Sequence, residues 1–558
     1  MVKKVIKMMY KEVRGLHQAA YVLALFTFGS QLLALVRDRT LAHQFGAGVE
    51  MDLYYAAFRI PDLLYVLFAS TLSVYVLIPF VSTRQRHEDG EGARNLLSQV
   101  FSIFLIIYVL LAALLILFTP VILPWLFPGL SSYSDSLITM TRILLLQPLF
   151  LGISSLFGVV TQLGHRFVLY AISPLIYNLG IIAGIIILYP LFGLSGLAYG
   201  VVLGALGHML VQWPLVRGSA LAFRFTFKLD FQMLKKIFAV SIPRAATLAM
   251  SQVVLLVFVS IASLMSVGSV AVFQFAYNLQ AVPLAVIGAS YSIASFPLLA
   301  SLYASEQYVK FRIHIVSTLR HIMFWAIPII GLVIVLRAQL VRVVLGSGQF
   351  NWADTKLTAA ILAILVVSLC AQAINLLIIR TFYAGGYTKI PFLVTFVGSL
   401  VAIGSLYYLY IVYDPSLAVF SYLTDFMRLG SVPGSEVLIL PIAYSLALLL
   451  QSIVLTIIAA YKFSIPFAWF GKHLLHATMA AVVGSMFSYT ALNFFVVGIN
   501  QETFIGIFIQ GFLAGLAGLV GVVMAYYLLR TPELKEVVQA FRGKLFCVDV
   551  VAPQEDVI

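Results

Sequence analysis

"FGSQLLALVRDRTLAHQFGAG" (residues 28–48) is the stretch on which the reading of the fold turns. It lies in a long apolar run, and Arg37, Asp38 and Arg39 interrupt that run. A charge at the centre of a bilayer costs roughly 2.5–3.5 kcal/mol on the most lenient scale, so charges kept there need partners or a polar task. The rest of the sequence makes a bilayer the right setting. Of 558 residues, 62% are hydrophobic and 10% charged, against about 25% charged in an ordinary soluble domain. That is the composition of a polytopic membrane protein. The formal net charge of +13 is explained by basic connections between spans rather than by nucleic-acid binding. The opening "MVKKVIKMMYKEVR" (1–14) lacks an apolar core followed by a small-residue cleavage site and reads as a basic juxtamembrane arm. The two cysteines, Cys370 and Cys547, imply no disulfide framework.

Outward from the quoted stretch, about fourteen runs reach the ~20 apolar residues that a helical span needs, from 16–46 and 52–83 at the start to 472–496 and 502–529 at the end. Connections alternate in charge. The even-numbered ones are basic, as in "STRQRHEDGEGAR" (82–94) and "VRGSALAFRFTFKLDFQMLKK" (216–236). The odd-numbered ones, such as "FGAGVEM" (45–51), "SGQFNWADT" (347–355) and "GINQET" (498–503), carry almost no Lys or Arg. The positive-inside rule then places both termini in the cytoplasm.

A weak repeat divides the chain further. "SQLLALV" (30–36) matches "SQVVLLV" (251–257), and "AAFRIP" (56–61) matches "FAYNLQ" (275–280). Six spans separate the copies, so the halves share one orientation and are related by an axis along the membrane normal. The expected organisation is an N-terminal lobe over 1–217, a C-terminal lobe over 218–463, two extra spans over 464–530 and a cytoplasmic tail over 531–558. One external connection is unlike the rest. In "YDPSLAVFSYLTDFMRLGSVPGSE" (413–436), Leu417, Phe420, Leu423 and Met427 fall at helical spacing. This is either an interfacial helix on the outer leaflet or an ordered loop without a transport role.

At 100° per residue, Ser30, Gln31, Arg37 and Asp38 form one polar stripe of the first span, and Arg39 points away, placed to snorkel outward. In "MDLYYAAFRIPD" (51–62), Asp52 and Arg59 are seven apart and share a face, with Asp62 nearby. The tight turn "FGAG" (45–48) makes the two helices antiparallel, so Arg37 and Arg59 come to a common depth, roughly 15 Å from the turn by helical rise. Two readings follow. A buried pair such as Asp38–Arg59 holds the hairpin together, or spare positive charge faces a wet cleft and binds an anionic head group. Arg244 lies in the inner half of the seventh span, either snorkelling or offering a second anion contact. Gln274 and Asn278, four apart in the eighth span, share a face, and His208, Gln372 and Asn375 read as packing polars. Metalloprotease, hydrolase, phosphate-loop and dithiol motifs do not occur. No cofactor, metal site or enzymatic reaction is expected.

The first hairpin resembles that of the MurJ (MviN) family of lipid II flippases, in the multidrug/oligosaccharidyl-lipid/polysaccharide exporter superfamily. The likeness rests on Arg37-Asp38, Phe45-Gly46-Ala47-Gly48, Asp52 and Phe58-Arg59-Ile60-Pro61, and continues at "SPLIYNLGII" (173–182), at "SQVVLLVFVSIASLMSVGSVAVFQFAYNLQAVP" (251–283), at "IASFPLLAS" (293–301) and at "GGYTKIP" (385–391). The resemblance implies an all-α, MATE-like fold of about fourteen transmembrane helices in the bacterial cytoplasmic membrane. It implies a flippase that carries the lipid-linked peptidoglycan precursor, lipid II, from the inner to the outer leaflet by alternating access. The central cavity would be lined by spans 1, 2, 7 and 8, with arginines on the diphosphate. Carried onto this chain, the substrate-binding set is Gln31, Arg37, Asp38, Asp52, Arg59, Arg244 and Asn278. Gln31 and Asn278 stand where relatives often carry arginine, and Tyr65 and Val66 where they often carry basic residues. Arg244 would replace part of that charge. A flippase of another polyprenyl-diphosphate-linked saccharide, or a non-transporting scaffold that binds cell-wall synthesis proteins, are the alternatives. A drug exporter would call for acidic residues in the cavity.

Overall fold

The computed structural model describes residues 16–72, 77, 78, 80, 81, 84, 91–164, 166–430, 432–466, 470–495 and 503–542. The basic arm, most of the first basic connection and the end of the tail lie outside the described residues; among the described residues no strand occurs. Helix is what apolar sequence must form in lipid, because every backbone N–H and C=O has to be satisfied within the segment.

The principal helices, in chain order, are α1 (Leu16–Phe45), α2 (Val49–Ala57), α3 (Arg59–Thr71), α4 (Glu91–Leu126), α5 (Ser134–Leu144), α6 (Leu146–Leu163), α7 (Phe167–Ala183), α8 (Leu194–Leu210), α9 (Phe231–Ala262) and α10 (Ser269–Leu284). There follow α11 (Ser290–Ala304), α12 (Tyr308–Val344), α13 (Trp352–Val367), α14 (Leu369–Ala384), α15 (Lys389–Val412), α16 (Ala418–Phe426), α17 (Ile439–Phe463), α18 (Phe470–Phe495), α19 (Phe504–Leu528) and α20 (Pro532–Arg542). Among the described residues, eleven helical stretches are long and apolar enough to cross a membrane, and the pair α13–α14, bent by 45°, makes a twelfth. The charged hairpin α1–α3 falls outside that count. Length and hydropathy alone therefore do not reach the expected fourteen.

The chain packs as two compact units. One comprises residues 1–279, 344–365 and 387–451; the other comprises 280–343, 366–386 and 452–558. In the first unit α3 packs on α9, α1 on α7, and α7 on α8. The α7–α8 contact is backbone on backbone. A Cβ on Gly200 would sit 2.3 Å from the Gly184 Cα, and one on Gly180 would sit 2.3 Å from the Gly204 Cα. Gly196, Gly200 and Gly204 recur every four residues, the small-residue spacing that lets helices approach closely in lipid.

In the second unit a π-helical turn, Ala285–Ala289, links α10 to α11 and brings Gly288 against Ala373. Helices α18 and α19 pair, and α20 folds against the unit: Glu533 accepts a hydrogen bond from Arg320 Nε at 2.6 Å and lies 3.0 Å from His473 Nδ1. Tyr526 stacks on Phe324 at 4.2 Å. The start of the tail, over 532–542, forms α20.

Candidate functional site

The turn "FGAG" begins the site. Gly46 takes φ +60°, which glycine tolerates and other residues rarely adopt. The turn is held by two neighbouring loops of the same unit. His43 O accepts from Gln349 N at 2.9 Å, and Ala47 N donates to Asp354 at 3.4 Å. Gly268, at φ +89°, lies so close to the turn that a Cβ there would be 2.1 Å from Ala47 O. Asp52, 4% exposed, accepts from Gly268 N at 2.7 Å and from Ala271 N at 2.9 Å. Its carboxylate thus satisfies the N-terminus of α10 from another helix, an end that carries orphan N–H groups and a positive dipole. Ser266, two residues earlier, donates its backbone N–H to Glu436 at 3.0 Å and its hydroxyl to the same oxygen. At its turn end these loops and helix starts are tied together.

Deeper in the same unit runs a chain of polar side chains. Ser30 Oγ accepts from Asn178 Nδ2 at 3.3 Å, and Asn178 Oδ1 accepts from Arg37 Nη1 at 3.2 Å. Arg37 grips Asp38 through Nε at 2.9 Å and Nη2 at 2.7 Å. Asp38 Oδ2 accepts from Asn278 Nδ2 at 3.1 Å, Asn278 Oδ1 accepts from Gln274 Nε2 at 2.8 Å, and Gln274 Oε1 accepts from Arg59 Nη2 at 3.2 Å. Arg59 Nε donates to Tyr55 O at 3.0 Å. The path joins α1, α7, α10 and α3. Asp38 neutralises Arg37. Arg59, 5% exposed, has no carboxylate within ion-pair distance among the described residues, and its Nη1 makes no hydrogen bond there. Its hydrogen bonds go to a backbone carbonyl and a neutral amide, and the Asp62 carboxylate, one helical turn on, acts on it only at longer range.

This arrangement revises several expectations. Asp38 and Arg59 do not pair directly; two amides separate them, because Asp38 is taken by its neighbour Arg37. Asp52 and Arg59 do not act on one face. Pro61 has no N–H for the Ala57 carbonyl, so the helix breaks at Phe58, and Asp52 turns to the α10 backbone. Gln31 is exposed and outside the polar chain, whereas Ser30 enters it through Asn178. Arg39 does not simply snorkel; its Nη1 reaches Val344 O at 3.4 Å, at the end of α12. Arg244 is half-buried on α9. It sits 18 residues from that helix's Ala262 end, about 27 Å by helical rise and deeper than Arg59. Asn278 stands where the stripe argument put it, beside Gln274. His208 is a packing polar as expected, bonded to Ser154 Oγ at 2.7 Å. Asn178 was missed; its signal was a lone carboxamide inside "SPLIYNLGII". Among the described residues no cluster of His, Cys, Asp and Glu could hold a metal ion.

A multi-pass helical chain with a broken, charged first hairpin and a buried polar chain through its arginines has the fold of solved multidrug/oligosaccharidyl-lipid/polysaccharide exporters. The solved structures agree. The chain superposes with a TM-score of 0.71 on a lipid II flippase MurJ in an inward closed conformation, at 21% identity over 92% of this chain and 100% of that one. It superposes with a TM-score of 0.65 on an inward-facing MATE-family multidrug resistance transporter, at 16% identity over 78% of this chain and 94% of that one. Residues 41–505 match the family model of the lipid II flippase MurJ, and the chain belongs to that family. A probable lipid II flippase MurJ of Rhizobium tropici is 26% identical over 376 residues, 65% of this chain and 70% of the relative.

Proposed function

We propose that this chain moves lipid II across the cytoplasmic membrane, from the inner to the outer leaflet, with the diphosphate held by Arg37 and Arg59. The observation that carries the reading is Arg59, buried and hydrogen-bonded to neutral groups, with no carboxylate in ion-pair contact among the described residues. Family membership names the substrate class, and the geometry supplies a means. A diphosphate in a low-dielectric cleft needs cations with directional donors, and guanidinium offers paired contacts. A neutral amide holds arginine more weakly than an anion does, so Gln274 keeps Arg59 ordered while leaving it exchangeable to phosphate. Asp38 fixes Arg37 and stops the two cations from repelling each other into disorder. Arg244, deeper on α9, is placed to meet the substrate from the opposite end.

The turn end faces outward in this reading, and both termini lie in the cytoplasm. Two six-helix halves, 1–217 and 218–463, alternate access, while 464–530 adds two further spans and 531–558 the tail. The seal at Gly46, Gly268 and Asp52 is then the outer gate, and its opening releases the α10 N-terminus. The chain transports and makes no covalent bond. The expected partners are lipid II, membrane lipids and cell-wall synthesis proteins.

The test is complementation of a strain depleted of its own flippase. Arg37→Ala and Arg59→Ala should insert normally and fail to sustain growth, with labelled precursor remaining on the inner face. Growth of both variants at the parental rate would remove the anion grip. The amides at 274 and 278 also suit a flippase of another polyprenyl-diphosphate saccharide. Transport of such a lipid, with none of lipid II, would select that second reading.

A further inference from the structure

The segment between α15 and α17 is not absorbed by the transport path. Within it α16 shows three faces. Phe420 is buried, and Leu423, Thr424 and Met427 beside it are half-buried. Ser421 and Asp425 form an exposed polar face. Val419, Tyr422 and Phe426, spaced i, i+3, i+7, form an exposed apolar one at 75, 73 and 66%. A surface helix in water needs two faces only, one toward the core and one toward solvent. The third requires an apolar occupant.

The neighbouring geometry identifies it. The last turns of α15 expose Tyr407, Tyr408, Ile411 and Val412, the tyrosine-rich belt that marks the boundary between acyl chains and headgroups. Tyr413, at the end of that belt, packs its ring on Phe420 at 4.8 Å. The contact fixes α16 at belt depth, so its apolar face continues the lipid-facing surface of α15. We propose that α16 is a membrane anchor whose Val419, Tyr422 and Phe426 insert among the lipids of the leaflet at the turn end, with Ser421 and Asp425 in water. The same stretch ends at Glu436, which holds Ser266 beside the Gly268 seal. The anchor therefore ties that seal to the bilayer surface. The leaflet is the outer one under the orientation proposed above, but the contact itself does not depend on flipping.

The experiment labels the full-length protein with nitroxide at Val419→Cys, Tyr422→Cys, Phe426→Cys, Ser421→Cys and Asp425→Cys, each in a chain carrying Cys370→Ala and Cys547→Ala. The protein is reconstituted in phosphatidylglycerol–phosphatidylethanolamine vesicles and probed for collision with oxygen and with a water-soluble nickel chelate. Oxygen should exceed nickel severalfold at 419, 422 and 426, and the order should reverse at 421 and 425. A second measurement keeps the native cysteines: Tyr422→Trp should lose fluorescence, relative to its parent, in vesicles with brominated acyl chains. Nickel reaching 422 as readily as 421, without bromine quenching, would overturn the anchor. Exclusion of both probes from 422 would overturn it too, because a second copy of the chain would then cover the face. None of these readouts involves transport, so failure of the anchor and failure of the flippase reading are distinguishable.

Discussion

Arg59 and Asp52 sit seven residues apart and do opposite things. Asp52 is spent on structure, since both its oxygens are taken by backbone N–H groups of the α10 start. Replacing it with Asn removes one acceptor and the charge at the dipole, leaving a buried N–H unsatisfied at about 1–3 kcal/mol. Asp52→Asn should therefore lower the unfolding midpoint in detergent by several degrees, and an unchanged midpoint would mean that the α10 end is not held this way. Arg39 lies off the polar stripe, and its Nη1 reaches the Val344 carbonyl at 3.4 Å. Arg39→Ala should grow at the parental rate in the depleted strain, with less than about 1 kcal/mol lost. At this scale the sequence announced the charged residues and was silent on their partners. Arg37 and Asp38 were visible because ionised groups in an apolar run are costly. Asn178 was not, because an uncharged amide in such a run is cheap and common. The Asp38–Arg59 pairing failed because Arg37 takes Asp38, and the shared face of Asp52 and Arg59 failed because helical spacing was carried across Phe58, where the helix breaks.

Elements meet here through glycine. In the α7–α8 pair, Gly200 leaves no room for a Cβ beside Gly184. Gly200→Val forces the helices apart at a cost of roughly 1–3 kcal/mol or more, and should reduce both yield and thermal midpoint; a variant as stable as the parent would contradict the close approach. Gly268 is constrained twice, by φ +89° and by Ala47 O. Gly268→Ala should loosen the seal, so that a thiol at Ala47→Cys reacts faster with a water-soluble maleimide. An unchanged rate would show that the turn end is not closed by this contact. Most helices were legible from run length and alternating loop charge. The π turn at Ala285–Ala289 and the bend between α13 and α14 were not, because both depend on how neighbouring helices pack rather than on local composition.

On the scale of the whole molecule, sequence composition specified a polytopic membrane protein, and the likeness in the first hairpin specified its family, which the family model over 41–505 shows. The two compact units were not legible, because each draws segments from distant parts of the chain. In the proposed mechanism, fold and function are joined at Arg59, a buried guanidinium with no carboxylate in ion-pair contact among the described residues. A charge-assisted hydrogen bond is worth ~1.5–3 kcal/mol, and each 1.4 kcal/mol is about tenfold in affinity. The most direct measurement is flipping of fluorescent lipid II by purified protein in vesicles, comparing the parent with Arg59→Gln and Arg59→Lys. The account predicts a loss of roughly 10–100-fold for Arg59→Gln and partial retention for Arg59→Lys, which keeps the charge without the paired donors. Flipping by Arg59→Gln at the parental rate would contradict it.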